Sequence, residues 1–292
     1  MKADLLALGA VVLWASLASL ALQLSEVPPL LLTGIGLLIG SSLAIPLSRF
    51  RLFESWKVAP ATLLMGVFGL FGYHLALFFA LRNAPAAEAN LINYLWPVGI
   101  VLLTPLLLPG FRILPRQLIA AGIGFSGAAF AILGQQTVPG TASSQASPLL
   151  GYLAAFAAAG VWSTYSVLTR RRPSFKSAAV GLFALVSGLL ALGLHWLLEE
   201  PYSWQQQDLI WIILLGAGPL GLAFYLWDAA LKIGDPIRIG IISFLTPLLS
   251  TTGVLLVQQR QLSAALAISA LLIVGAGVIG MSARGQHKKT GS

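Results

Sequence analysis

No cysteine occurs among the 292 residues, and only 9% of them carry charge. The first absence excludes disulfides, thiol nucleophiles and thiolate metal sites. The second excludes an ordinary soluble domain, in which roughly 25% of residues are charged, because too few polar groups remain to cover a water-facing surface. Histidine is scarce too. His74, His195 and His287 lie too far apart to suggest a metal centre, and no metal or cofactor is expected. What fills the chain is apolar: 58% hydrophobic residues and a mean hydropathy of +0.89 read as a polytopic membrane protein.

Apolar runs of about 20 residues, enough to cross a bilayer, fall near 3–24, 28–48, 58–82, 87–108, 115–134, 148–169, 176–198, 207–232, 236–258 and 262–282. The predicted fold class is therefore all-α, with ten transmembrane helices. The first run is longer than the apolar core of a signal peptide, carries Trp14 at its centre and lacks an A-x-A cleavage site, so it reads as the first helix.

Basic residues sort by side. With the N-terminus inside, the inner segments hold Lys2, Arg49, Arg51, Lys57, Arg112, Arg116, Arg170, Arg171, Arg172, Lys176, Lys232, Arg238, Arg284, Lys288 and Lys289, leaving only Arg82 and Arg260 outside. A bias of that size in short loops predicts both termini in the cytoplasm, across a bacterial-type cytoplasmic membrane. The arginine run at 170–172 is then a topology anchor, and no nucleic-acid partner is expected.

The two halves of the chain resemble each other. At an offset of 150, Arg82 meets Lys232, Glu88 meets Arg238, Asn93 meets Ser243, Tyr94 meets Phe244 and Pro97 meets Pro247. At 148, Trp14 meets Trp162, and at 153 the glycines at 122, 124 and 127 meet those at 275, 277 and 280. Two five-helix repeats follow, at 1–135 and 148–283, with an outer connection at 136–147 and a basic cytoplasmic tail at 284–292. Five is odd, so the second repeat enters from the opposite side. Inverted repeats of this kind are a mark of secondary transporters, which bind substrate at the midplane between the halves.

Pro97 and Pro247 each lie about ten residues into a span, roughly 15 Å deep at 1.5 Å per residue. Having no amide hydrogen, they free the carbonyls of Asn93 and Ser243. An unsatisfied carbonyl in hydrocarbon costs several kcal/mol, which predicts a polar cavity beside these two hinges. Asn90, Asn93, Tyr94 and Pro97 share a helical face by spacing, and Trp96 borders it. Tyr73, His74, Trp14, Trp162 and Tyr165 add amphipathic groups at depth. Together with Ser243 they form a candidate site for a ligand with a large apolar or aromatic body and a polar head. Trp56, Trp196, Trp204 and His195, near span ends, read as interfacial.

Asp228 is the only acid set more than one residue inside a predicted span, so it and His74 are the candidates for ion coupling. Lys232, four residues on, offers the alternative of an ion pair at the interface. The doubled G-x-G-x-x-G lies inside apolar spans, away from the strand-to-helix context of dinucleotide binding, and reads as close helix packing. An intramembrane enzyme would need a nucleophile with a base or a metal triad, and no H-E-x-x-H pattern is present.

Ten spans in two halves, short basic inner loops and a proline in the fourth and ninth spans resemble the drug/metabolite transporter superfamily, in its EamA-type branch. The run "GYHLALFFALRNAPAAEANLINYLWPVGIVL" at 72–102 resembles that of the aromatic amino-acid exporters within it. The resemblance implies efflux of amino acids, aromatic and other neutral ones, by alternating access through a central cavity, with Tyr73, His74, Asn93, Tyr94, Trp96 and Trp162 lining it. The implied partners are small-molecule substrates and membrane lipid. A carrier of another small molecule, a passive pore and an intramembrane enzyme are the alternatives.

Overall fold

The computed structural model describes residues 1–133, 148–171, 175–259, 261 and 263–281. The expected outer connection at 136–147 and tail at 284–292 lie outside the described residues.

Among the described residues the fold is all-α and forms ten helical columns: α1 (Lys2–Leu22), α2 (Pro29–Leu47), α3 (Pro60–Asn83), α4 (Ala86–Leu107), α5 (Pro115–Leu133), α6 (Pro148–Arg171), α7 (Ser177–Leu198), α8 (Asp208–Ile233), α9 (Pro236–Val257) and α10 (Ala264–Met281). Eight of these are at least 18 residues long and strongly apolar. The others, α6 and α10, have 24 and 18 residues, about 36 and 27 Å of helix. Five columns open on a proline, whose missing amide costs nothing in a first turn.

The surface is oily. Leu106, Phe156, Ile213 and Leu271 are each more than half exposed, and in water such a belt would drive aggregation. In lipid it is the solvated face, and the protein is an integral membrane protein. The interior uses small residues instead, as membrane helices do to bring backbones together. A side-chain carbon on Gly40 in α2 would lie 2.7 Å from the Cα of Gly221 in α8, so both positions need glycine. In α5, Gly127 meets Leu272 and Ile273 of α10, while Gly124 meets Phe244. The doubled glycine motif therefore does pack helices, although Gly122 and Gly275 face open space.

Each helix in three of the pairs meets the one five places along the chain: α2 with α7, α4 with α9, and α5 with α10. Two further sets of central contacts come in matched pairs, α1 with α8 beside α6 with α3, and α1 with α9 beside α6 with α4.

Charged groups cluster at helix ends. Glu199 accepts from the backbone amides of Leu30 and Leu31 at 3.0–3.2 Å, closing the start of α2, and His195 holds the same carboxylate at 3.0 Å. His195 thus has a defined structural partner, beyond the interfacial place its neighbour Trp196 suggests. Arg170 donates to the carbonyls of Leu231 and Lys232 at 3.1 and 2.7 Å, where a cation meets the exposed end of α8.

Candidate functional site

α4 is broken at Tyr94–Leu95, between helical stretches Ala86–Asn93 and Trp96–Leu107, and α9 at Ser243–Phe244, between Pro236–Ile242 and Leu245–Val257. Both breaks come just before a proline, as the missing amide requires. The carbonyl of Ser243 is nevertheless satisfied: the amide of Thr246 reaches it at 3.0 Å in a tightened turn.

α3 and α8 carry a second matched irregularity. Each contains a π-helical stretch, Phe68–Gly72 and Gly218–Leu222, 150 positions apart. Such bulges widen a helix by one residue and recur at functional sites. Here they set Tyr73 and His74 on one side and Phe224 on the other against the same space.

That space is a cavity of about 90 Å³ at the meeting of six helices. Trp14 and Leu17 come from α1, Tyr73 and His74 from α3, and Asn93, Tyr94 and Trp96 from α4; Trp162 of α6, Leu220 and Phe224 of α8, and Thr246 of α9 complete it. It is smaller than the roughly 300–1,000 Å³ of pockets that hold drug-sized ligands, so a bulky guest requires the walls to part. Trp14 is the hub, with its ring centroid 5.5 Å from Trp162, 6.3 Å from Trp96 and 5.1 Å from Trp227. The first two are edge-to-face, and aromatic contacts of this kind add about 0.5–1.5 kcal/mol each beyond burial.

The polar groups are fewer and incompletely paired. Asn93 donates its amide to the Tyr73 oxygen at 3.2 Å, while its own Oδ1 is buried without a partner, as is Thr246 Oγ1. An unsatisfied buried polar atom costs about 1–3 kcal/mol, and hydrocarbon around the helices offers no water in compensation. Nδ1 of His74 lies 2.6 Å from the carbonyl oxygen of Leu70. A carbonyl only accepts, so Nδ1 carries the hydrogen and the neutral ring keeps a lone pair on Nε2. His74 therefore serves a carbonyl of its own helix, in the π stretch, and not one freed on α4.

Of the ten side chains singled out in sequence, seven line the cavity: Trp14, Tyr73, His74, Asn93, Tyr94, Trp96 and Trp162. Asn90, Tyr165 and Ser243 do not. Asn90 precedes Asn93 by almost a full turn. Tyr165 is buried behind Trp162, 5.3 Å between rings, and covers Gly69. The hydroxyl of Ser243 is spent on the carbonyl of Gly240 at 2.6 Å. Pro97 and Pro247 are buried at the breaks. Asp228 lies outside the cavity, paired with Lys232 at 2.8 Å. Lys232 also donates to the carbonyl of Phe175 and sits 3.6 Å over its ring.

Leu17, Leu220, Phe224 and Thr246 line the cavity without having been picked out as site residues, and Trp227 seals it from behind, its indole donating to Ser166 at 3.0 Å. The available signal was the repeat itself: Phe224 stands 150 positions after His74, and Thr246 150 after Trp96. Ser126 completes a G-x-S-G sequence at 124–127, but its exposed hydroxyl bonds the Gly122 carbonyl of its own helix.

Ten helical columns, eight of them long and apolar enough to cross a membrane, around an aromatic chamber with polar groups at two helix breaks have the build of a secondary transporter rather than an enzyme. The chain belongs to the EamA-like transporter family, whose pattern matches residues 1–133 and again 149–282. It is similar to a protein of Ancylobacter novellus named aromatic amino acid exporter YddG, 37% identical over 95% of this chain and 96% of that protein. A protein of the same name from Salmonella typhimurium is 28% identical over 90% of each chain. A solved crystal structure superposes with a TM-score of 0.89 at 35% identity, over 97% of this chain and 98% of the other.

Proposed function

We propose that this protein exports amino acids, aromatic and other neutral ones, from the cytoplasm by alternating access. In this reading two inverted repeats, 1–135 and 148–283, rock about the cavity, and the breaks before Pro97 and Pro247 act as hinges. Trp14, Trp96 and Trp162 receive the side chain, and Tyr73, His74, Asn93 and Tyr94 the polar head. The observation that carries the reading is the cavity itself, in which a cluster of indoles surrounds unpaired polar atoms at the level of two broken helices. The names of the relatives support the substrate class, the matched contacts of helices five places apart support the repeats, and the basic bias of the inner loops supports cytoplasmic termini.

Counterflow in proteoliposomes tests it. Labelled phenylalanine should accumulate against unlabelled phenylalanine with saturation, and tyrosine, tryptophan and other neutral amino acids should compete. Flux that never saturates would indicate a pore, and saturable exchange of something else with no amino-acid competition would indicate a carrier of another small molecule. Either outcome removes the proposal.

A further inference from the structure

We infer that the cavity holds the ammonium group of its substrate on an acceptor face made by Asn93 Oδ1, Thr246 Oγ1 and His74 Nε2, and that a substrate carboxylate is dispensable for binding. This rests on the amino-acid reading above and deepens it by assigning the end of the molecule that is recognised.

The acceptors are in place before any ligand arrives. Asn93 is 4% and Thr246 6% exposed, both residues line the cavity, and Asn93 Oδ1 and Thr246 Oγ1 are buried without a partner. The amide of Asn93 is oriented by its bond to Tyr73, which turns Oδ1 away from that bond. The His74 ring is oriented by Leu70, which leaves Nε2 as its free acceptor. An ammonium carries three donors and no acceptor, and so suits three such groups on residues that line one narrow space.

The other end of the molecule finds less. Among the described residues no lysine, arginine, aspartate or glutamate lines the cavity, so a carboxylate has no ionic partner there; it gains nothing from Asn93 Oδ1 or His74 Nε2 and is left with neutral hydroxyl donors such as those of Tyr73 and Tyr94. The tryptophan faces of Trp14, Trp96 and Trp162 add attraction for a cation and none for an anion. Both features select for positive charge.

The test compares three ligands that differ at one end, by titrating the tryptophan fluorescence of the full chain in detergent. L-Phenylalanine has both groups, phenethylamine lacks the carboxylate, and 3-phenylpropionate lacks the amine. Phenethylamine should bind within about tenfold of phenylalanine, and 3-phenylpropionate at least about tenfold more weakly, the size of one hydrogen bond to a charged group. Thr246→Val, which keeps the shape and removes the hydroxyl, should weaken both amines severalfold at a thermal stability no lower than the parent's, and Thr246→Ser should restore them. If phenylalanine binds while 3-phenylpropionate equals or exceeds phenethylamine, the assignment is overturned and the amino-acid reading stands. The assignment falls in the same way if phenylalanine binds and neither truncated ligand does, or if folded Thr246→Val binds as the parent does. If none of the three binds to folded protein, the substrate reading itself falls, and the inference with it.

Discussion

His74 and Phe224 occupy matching positions just beyond the two π stretches, and both line the cavity. Only the imidazole has a backbone carbonyl to serve. His74→Phe should therefore fit, because its counterpart is already a phenylalanine, but it removes one donor from Leu70. A net loss of about 0.5–1.5 kcal/mol is expected for such a bond, seen as a modestly lower melting temperature in detergent. His74→Gln, which can still donate, should lose less. A melting temperature unmoved in the phenylalanine variant, with a fall in the glutamine variant, would rule this role out. The same contrast explains which residues were legible from sequence. Trp14, Trp96, Trp162 and Asn93 stand out because large aromatics and amides at bilayer depth need a protein environment. Leu17, Leu220 and Thr246 are ordinary residues of a membrane helix, and which way they face depends on partners far away in sequence. Ser243 differs for a local reason: the turn before Pro247 is tight enough to satisfy its carbonyl through Thr246.

Helices α3 and α6 approach closely because Gly69 lies under the ring of Tyr165, where any side-chain carbon would overlap it. Gly122 in α5 has nothing within 4 Å of the same position. Gly69→Ala should thus destabilise by about 1–3 kcal/mol, the usual effect of overfilling a packed core, whereas Gly122→Ala should be neutral or slightly stabilising. Melting of both variants in detergent checks the contrast, and equal behaviour would mean the α3–α6 contact yields more readily than its geometry implies. Element boundaries were well marked in sequence, by opening prolines and by the switch from apolar to basic residues. The breaks in α4 and α9 were marked too, since proline removes an identifiable hydrogen bond. The π stretches were not. Gly69, Gly72, Gly218 and Gly221 permit them, but a π turn forms where neighbours demand an extra residue, and that demand comes from packing such as Gly40 against Gly221.

At the scale of the whole molecule, two surface contacts are counterparts. Asp4 at the start of α1 receives Arg238 at the start of α9 through two bonds, at 2.8 and 3.0 Å. Tyr152 at the start of α6 donates to Glu88 at the start of α4. Tyr152 follows Asp4 by 148 positions and Arg238 follows Glu88 by 150, the offsets that align the two halves. The offsets could be read from sequence, but that each pair joins could not, because tyrosine replaces aspartate and glutamate replaces arginine at the matching positions. On the inverted arrangement proposed above, the pairs sit at opposite membrane faces, and each must part when the cavity opens on its own side. The Asp4–Arg238 pair is two-pronged and charged on both partners, which is the stronger design, so the inner face should be the harder to open. Asp4→Asn should shift the population towards the inward-open form by up to about fivefold, since partly exposed ion pairs contribute about 0.2–1 kcal/mol. A cysteine introduced at Thr246, in a chain that has none of its own, reports the shift. In the Asp4→Asn background it should react faster with an impermeant thiol reagent added from the cytoplasmic side, and in the Tyr152→Phe background faster from the outside. Faster reaction from the outside on loss of Asp4 would reverse the assigned orientation, and no change in either background would mean that neither contact holds a gate.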